Sequence, residues 1–290
     1  MKISKRFMKR ISGFFGMLLL LAPLTVLAQT KVVVIPLGDD AKPLKNIITV
    51  AKANGNFTDP VAAVNSIVDA FASNPYLVVI GPGVYTINQP LVMKPYVDIV
   101  GSGENVTKLT GAISTGGAES SAIISGASYC ALSSLALENT GGGYHSIALH
   151  NNNASLSVMN LTAKASGGTS NNFGIYNYNS SPKMTNVTVT ASGGTTSNHG
   201  VYDISSTLTM TNVTVTVSGG TASYGVYNDN SSYSTIRRST MKGGNYSLYT
   251  QGGTTTVSQS TLTDGAAGVG TKTCIACDDG SGAEVPANCQ

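Results

Sequence analysis

Apolar and polar residues alternate along much of the second half of this chain. The segment from Met210 to Val217 reads Met-Thr-Asn-Val-Thr-Val-Thr-Val, with a period close to two and mostly β-branched side chains. A period of two places successive side chains on opposite faces of an extended backbone, and β-branched residues favour that conformation. The pattern therefore predicts β-strands of a few residues each.

The alternation recurs in six repeats that share one polar position, which we call the phase position. The residues two places before it and three places after it are apolar in every repeat, and a Ser-Gly-Gly or Lys-Gly-Gly turn begins at 166, 192, 218 and 242. Successive phase positions are 26, 26, 26, 26 and 21 residues apart. They are Ser134, Asn160, Asn186, Asn212, Arg238 and Gln259. One period therefore holds two or three short strands and their turns.

Repeats of this length indicate a solenoid, and the composition selects its kind. Helical solenoids need long windows of 3.6-residue periodicity, which segments rich in Gly, Ser, Thr and Asn do not supply. Short strands can instead pair with the equivalent strand of the next coil, about 4.8 Å away, and bury their apolar rows in a shared core. The predicted fold class is all-β, a parallel β-helix with a short N-terminal capping helix.

The repeated pattern Gly-Val-Tyr, polar turn, apolar-x-Asn-apolar-Thr-apolar resembles the coil of right-handed β-helices of the pectin-lyase superfamily. The resemblance covers residues 97–263. It implies that Asn160, Asn186 and Asn212 stack as an internal ladder. An amide can both donate to and accept from the equivalent amide one coil away, which satisfies buried polar groups. Arg238 interrupts this ladder.

The amino-terminal portion resembles the opening of pectin methylesterases in the segments 49–58, 78–85 and 97–103. Asp59 and Pro60 between them are typical of a helix N-cap and first turn. The predicted apolar face of this helix consists of Val61, Val64, Ile67, Val68 and Phe71. We expect the helix to cover the open end of the solenoid, with docking of a partner as the alternative.

Residues 1–28 are predicted to be a secretory signal peptide. Five basic residues precede the apolar run from Phe14 to Leu21, and Val26-Leu-Ala28 is a small-residue cleavage signal before Gln29. A membrane anchor is disfavoured because the run is shorter than about 20 residues and ends near Pro23. The protein is therefore expected to be secreted, extracellular or periplasmic, with no integral membrane span after cleavage.

Removal of the signal peptide changes the predicted charge and organisation. Losing five of seventeen basic residues takes the net charge from +3 to −2, and the remaining chain has only two arginines, Arg237 and Arg238. A nucleic-acid partner is therefore not expected. The predicted organisation is a strand, helix cap and first coil at 29–96, β-helix repeats at 97–263 and a cysteine-containing tail at 264–290.

The resemblance does not extend to a recognisable catalytic site. Pectin methylesterases carry paired aspartates with glutamines and an arginine, and pectate lyases carry calcium-binding carboxylates beside a basic residue. Between Asn139 and Thr263 this chain has two carboxylates, Asp203 and Asp229, offset by one position relative to the tyrosine motif. This offset predicts opposite faces of the strand. We expect no catalytic residues, no metal and no cofactor, and interpret His199 as a turn residue.

A recurring tyrosine is the better candidate site. Tyr176, Tyr202, Tyr227 and Tyr249 each follow an apolar residue in successive repeats, so alternation predicts an outward ladder. Rings about 4.8 Å apart, with hydroxyls along the edge, suit the CH face of a sugar chain. The alternative is that the rings stack only to stabilise the coils.

Four cysteines remain, at positions 130, 274, 277 and 289. Tetrahedral zinc needs four ligands, and the tail offers three thiols without a nearby histidine. In an exported protein a disulfide is more consistent with the composition, and Cys274 with Cys289 would close a loop over the carboxyl-terminal end. Cys130 and Cys277 are left without an assignment.

Three functions are compatible with the sequence. The favoured one is a secreted, non-catalytic β-helix protein that binds a polysaccharide or a cell-surface glycan. The second is a pectin-active enzyme of the esterase or lyase type. The third is a structural adhesin or tailspike-like spacer whose repeats supply length.

Overall fold

The computed structural model describes residues 46–117 and 119–290, without the side chain of Glu119. The predicted signal peptide lies outside the described residues. Within these residues there are two parallel sheets, one α-helix, α1 (Pro60–Ser66), and a 3-10 turn at Glu119–Ser121.

The larger sheet has fourteen strands in the described part of the chain. They are β1 (Asn46–Val50), β2 (Tyr76–Ile80), β3 (Gly83–Thr86), β5 (Val97–Gly101), β6 (Thr107–Gly111), β8 (Ala131–Asn139), β10 (Ser157–Ala165), β12 (Lys183–Ser192), β14 (Thr207–Ser218), β16 (Tyr233–Arg237), β17 (Thr240–Lys242), β19 (Thr254–Ser258), β20 (Thr261–Leu262) and β22 (Thr271–Ile275). The smaller sheet has eight. They are β4 (Leu91–Val92), β7 (Ala122–Ser125), β9 (His145–Asn152), β11 (Asn171–Tyr178), β13 (Ser197–Ile204), β15 (Ala222–Asp229), β18 (Tyr246–Thr250) and β21 (Ala266–Ala267).

Each strand pairs in parallel with the equivalent strand of the neighbouring coil, in the register of the repeat. Strand β10, for example, places Val158 beside Met184 and Leu161 beside Val187 of β12. The inward rows are fully buried: Leu161, Val187 and Val213 are each at most 1% exposed. The chain is an all-β, right-handed parallel β-helix, and the predicted fold class is confirmed.

The phase position is the bend that turns each coil across the larger sheet. All six residues adopt a left-handed backbone, with φ between 47° and 59°. This conformation interrupts the alternation, so the residues on either side of the bend, such as Val158 and Leu161, both point inward. Asparagine is enriched at positive φ because its short polar side chain tolerates the left-handed region. The polar residue that recurs at the phase position is therefore explained by the left-handed backbone conformation required there.

The expected internal ladder of Asn160, Asn186 and Asn212 is corrected by the structure. The three side chains do stack, with Asn186 Nδ2 donating to Asn160 Oδ1 at 3.1 Å and Asn212 Nδ2 donating to Asn186 Oδ1 at 2.7 Å. They are exposed on the outside of the bend. The reason is the left-handed backbone, which turns both residues between the inward positions towards solvent.

A different row supplies the internal polar ladder. Asn151, Asn177, Asp203 and Asn228 occupy equivalent positions of β9, β11, β13 and β15, and all are fully buried. Asn151 Nδ2 donates to Asn177 Oδ1 at 2.8 Å, and Asn177 Nδ2 donates to Asp203 Oδ1 at 2.6 Å. One aspartate side chain, that of Asp203, thus replaces an amide inside the solenoid.

Helix α1 packs against the first strands and contributes Val61, Val64 and the following Ile67 to the core. Asp59 is its N-cap, and its side chain accepts a hydrogen bond from the Val61 amide at 2.9 Å. The predicted apolar face was too long. Because the helix ends at Ser66, Val68 and Phe71 lie beyond it and are 89% and 52% exposed.

The carboxyl-terminal tail folds onto the last coil. Cys274 in β22 forms a disulfide with Cys289, with 5.2 Å between the Cα atoms, and the Cys274 amide donates to the Ala287 carbonyl. Cys130 and Cys277 are buried free thiols. Among the described residues, none of the helices is long and apolar enough to cross a membrane.

Candidate functional site

The four predicted tyrosines come together on the outer side of the smaller sheet. Strand register places Tyr176, Tyr202, Tyr227 and Tyr249 beside one another in β11, β13, β15 and β18. Consecutive ring centroids are 5.1, 5.0 and 5.2 Å apart. His150 of β9 extends the row, with its ring 5.0 Å from that of Tyr176.

A second aromatic row, missed in the sequence, runs beside the first. Register aligns Phe173, His199, Tyr224 and Tyr246 on the same strands. The rows contact each other within every coil: the ring centroids of His199 and Tyr202, for example, are 4.8 Å apart. We call the nine residues of both rows the aromatic face. They are His150, Tyr176, Tyr202, Tyr227, Tyr249, Phe173, His199, Tyr224 and Tyr246.

Glycine explains why residues three apart share this face. Gly200 lies between His199 and Val201, and a Cβ there would clash with the Val215 side chain and the Gly225 carbonyl. The backbone therefore turns two successive residues, Gly200 and Val201, inward, and both His199 and Tyr202 point outward. The sequence signal for the second row was the residue before each Gly-apolar-Tyr motif, which is aromatic in three coils.

Burial is uneven across the aromatic face. Phe173 and His199 are only 7% and 5% exposed, whereas the tyrosines of the first row are half-buried and Tyr246 is 38% exposed. His199 lies in β13, so its interpretation as a turn residue is wrong. Burial lowers the pKa of His199 to about 3, and its Nδ1 atom has no hydrogen-bond partner among the described residues. The imidazole is therefore neutral at physiological pH.

The tyrosine hydroxyls are also held neutral. Burial raises the pKa of Tyr227 to about 12, with smaller effects from Asp229 and neighbouring tyrosines, and burial raises the pKa of Tyr176, Tyr202 and Tyr224. A neutral phenol both donates and accepts hydrogen bonds. The aromatic face therefore offers apolar rings edged by uncharged hydroxyls.

A cavity of about 370 Å³ adjoins one end of the aromatic face. It is lined by Val92, Ser125 and Asn152, together with His150 from the aromatic face itself. Polar and apolar groups meet there beside the first ring of the row. The cavity and the aromatic face together form the candidate site.

The two central carboxylates do not converge on this site. Asp203 points into the solenoid and is fully buried, and burial raises its pKa to about 7. Asp229 is aligned with Ile204, the residue that follows Asp203, and is partly exposed. Burial is the main cause of the raised pKa values of Tyr202 and Tyr227, and the charge of Asp229 raises both further. The predicted placement on opposite faces is confirmed. In the described residues, no group of three or more His, Cys, Asp or Glu side chains is arranged to hold a metal ion.

Comparison with known proteins places the chain among polysaccharide-related folds. It matches the family described as rhamnogalacturonase A/epimerase, pectate lyase-like, over residues 46–278. Similar solved structures include pectin methylesterase from carrot, at 14% identity over 84% of this chain and 86% of that chain, with a TM-score of 0.61. Pectin methylesterase from Aspergillus niger is 13% identical over 83% of this chain and 88% of that chain, with a TM-score of 0.64.

The rice weevil pectin methylesterase is a further similar structure, at 14% identity over 73% of this chain and 76% of that chain, with a TM-score of 0.51. Comparison with curated protein sequences gives no significant match. At such low identities the likeness to solved structures shows the fold alone.

Proposed function

This chain belongs to the rhamnogalacturonase A/epimerase, pectate lyase-like family, and we propose that it binds a polysaccharide or cell-surface glycan without turning it over. The observation that carries this proposal is the aromatic face, with two rows of rings in register on one side of the smaller sheet. Its five coils are separated by four spacings of about 4.8 Å, which give it a length of about 19 Å.

The chemistry of the aromatic face supports a neutral sugar surface as ligand. Half-buried rings present apolar area to the CH faces of pyranose rings, and neutral hydroxyls can exchange hydrogen bonds with sugar hydroxyls. The strands of the aromatic face carry no lysine or arginine in the described part of the chain. Binding there should therefore depend little on salt.

Binding is favoured over turnover by the positions of the carboxylates. A general acid and base must reach one substrate, but Asp203 lies inside the solenoid and Asp229 outside it. The family and the pectin methylesterase fold favour a pectin-active enzyme as the second candidate. The contact between the rings favours the third, a structural spacer.

We also propose that the protein acts outside the cytoplasm. The signal peptide predicted at residues 1–28 motivates this location, and the Cys274–Cys289 disulfide is typical of oxidising compartments. Sequencing the N-terminus of protein recovered from the culture medium or periplasm tests it. Protein that keeps Met1 and remains in the cytoplasm would contradict it.

The binding proposal is tested by a glycan array with the full-length protein, followed by Tyr202→Ala/Tyr227→Ala. Each aromatic contact contributes about 0.5–1.5 kcal/mol beyond its area, so the double variant should bind the selected glycan roughly 5- to 150-fold more weakly. Tyr129→Ala is the matched control, because Tyr129 is 73% exposed and lies outside the aromatic face.

The same samples decide between the three candidates. Assays for ester hydrolysis, reducing sugars and unsaturated products on pectins are expected to show no turnover. Measurable turnover would favour the enzyme. A double variant that kept its glycan affinity but melted at lower temperature would favour the spacer.

A further inference from the structure

Basic side chains are divided unevenly between the two sheets. In the described part of the chain, every lysine or arginine that lies in a strand belongs to the larger sheet. These residues are Lys108, Lys164, Lys183, Arg237, Lys242 and Lys272. Arg238 lies at the phase position that follows β16. The strand lysines and arginines therefore lie on the larger sheet, whereas the aromatic face lies on the smaller sheet.

Four of these cations are exposed without a counter-ion. We call Lys183, Arg237, Arg238 and Lys242 the cationic face. Strands β12, β14, β16 and β17, on or beside which they lie, contain no aspartate or glutamate. Both ion pairs found among the described residues involve Glu138, which contacts Lys108 at 2.8 Å and Lys164 at 3.0 Å. The cationic face is thus unneutralised within this part of the chain.

Strand register gathers the four cations on neighbouring coils. Lys183 is aligned with Thr209, and Thr209 with Thr235 in the strand that carries Arg237. Two coil spacings therefore separate Lys183 from the coil of the other three, about 10 Å along the solenoid axis. Across the coil, Lys183 and Arg237 precede the left-handed bend, Arg238 occupies it and Lys242 follows it, so the four cations are distributed around the bend. A flexible chain that follows the bend across these coils could contact all four.

Threonine hydroxyls fill the surface between the cations. Thr188, Thr214 and Thr240 form one outward row in register, and all three are exposed. Their hydroxyls form no hydrogen bond to another described residue. The surface therefore combines fixed positive charge with free donors and acceptors.

We propose that the cationic face is a second binding surface, for a polysaccharide with carboxylates on its sugars. Arginine and lysine pair with carboxylates, and threonine hydroxyls exchange hydrogen bonds with sugar hydroxyls. A nucleic acid fits less well, because residues 46–290 hold nine Lys and Arg against twelve Asp and Glu. This surface lies on a different sheet from the aromatic face and does not depend on the function proposed there.

The test measures binding of polygalacturonate to the full-length protein at low and at high salt. Lys183→Gln/Arg237→Gln/Lys242→Gln should lose roughly tenfold or more in affinity at low salt, with a weaker salt dependence. Lys164→Gln is the matched control on the same sheet, because its charge is already paired with Glu138. Its affinity should stay within about twofold of the original protein.

Three further arms separate the surfaces and the ligands. Tyr202→Ala/Tyr227→Ala should keep the salt-dependent binding of polygalacturonate. Fully methyl-esterified pectin has no carboxylates for the cationic face to bind. The triple variant and the original protein should therefore have the same affinity for it, including any contribution from the aromatic face. A triple variant with unchanged affinity for polygalacturonate, or tighter binding of single-stranded DNA than of polygalacturonate, overturns the proposal.

Discussion

Two buried titratable side chains, Asp203 and His199, lie on opposite sides of strand β13. Burial raises the pKa of Asp203 from 3.8 to about 7 and lowers the pKa of His199 from 6.5 to about 3. Both groups are thereby held neutral in the folded protein near pH 5. Their contributions to stability have opposite dependence on pH.

The sign follows from which state binds the proton. Folded Asp203 keeps its proton up to about pH 7 and the unfolded residue loses it near 3.8, so its contribution to stability falls as pH rises through that window. Unfolded His199 gains a proton below 6.5 and the folded residue does not until about 3, so its contribution falls as pH drops. Each shift corresponds to about 4 to 5 kcal/mol across its window.

Single substitutions should expose the two opposed slopes. Asp203→Asn restores an amide to the internal ladder and removes the contribution of Asp203. The free energy of unfolding of this variant should rise between pH 4 and 6.5, because the contribution of His199 remains. His199→Phe, which copies the ring of Phe173, should leave stability falling with pH over the same range. Urea midpoints measured across this range check both. Slopes of the same sign in the two variants would contradict the assignment.

At the scale of the element, the left-handed bend decides the geometry of each coil. Asn186 has φ of 55° and exchanges hydrogen bonds with Asn160 and Asn212. Because these side chains are exposed, the hydrogen bonds contribute less than the backbone conformation. The main requirement at this position is a residue that tolerates positive φ.

Asn186→Val should therefore destabilise the protein by about 1–3 kcal/mol, since β-branched residues avoid this conformation. Asn186→Gly should cost less, because glycine adopts positive φ without strain. Thr188→Val is the matched control, an exposed residue of the same strand that does not have positive φ. Thermal unfolding measures all three. Equal losses from Asn186→Val and Thr188→Val would show that the bend is not the constraint.

At the scale of the whole molecule, the free energy of unfolding is distributed among the coils stacked along the solenoid axis. Each coil pairs only with its neighbours, so a defect at one end is expected to remain local. The Cys274–Cys289 disulfide closes a loop at the carboxyl-terminal end, with a sequence separation of 15 residues. Its removal tests this locality.

Cys274→Ser/Cys289→Ser should destabilise the tail by about 3 kcal/mol. Hydrogen exchange should accelerate in β22 and β19, which pair directly, while β10 and β12 keep their protection. Cys277→Ser, at a buried free thiol, controls for loss of a cysteine without loss of the crosslink. Uniform loss of protection in all coils would contradict a locally divided solenoid.

The solenoid, its register and the aromatic row of Tyr176, Tyr202, Tyr227 and Tyr249 were all predictable from the repeat in the amino-acid sequence. When apolar and polar positions share one period, stacking the repeats places equivalent residues beside one another in successive coils. Any feature that depends only on register was therefore predictable. This includes the placement of Asp203 and Asp229 on opposite faces.

Which rows of side chains face the core could be established only from the folded chain. The left-handed bend at Asn160 shifts the alternation by one position, and so do the two successive inward residues Gly200 and Val201. A shift of one position moves the following side chains to the other face. This is why Asn186 stacks outside while Asp203 lies within, and why His199 joins the tyrosines. The structure was also needed to show that Lys183 and Arg237 are exposed, and that both ion pairs among the described residues involve Glu138 instead of these side chains.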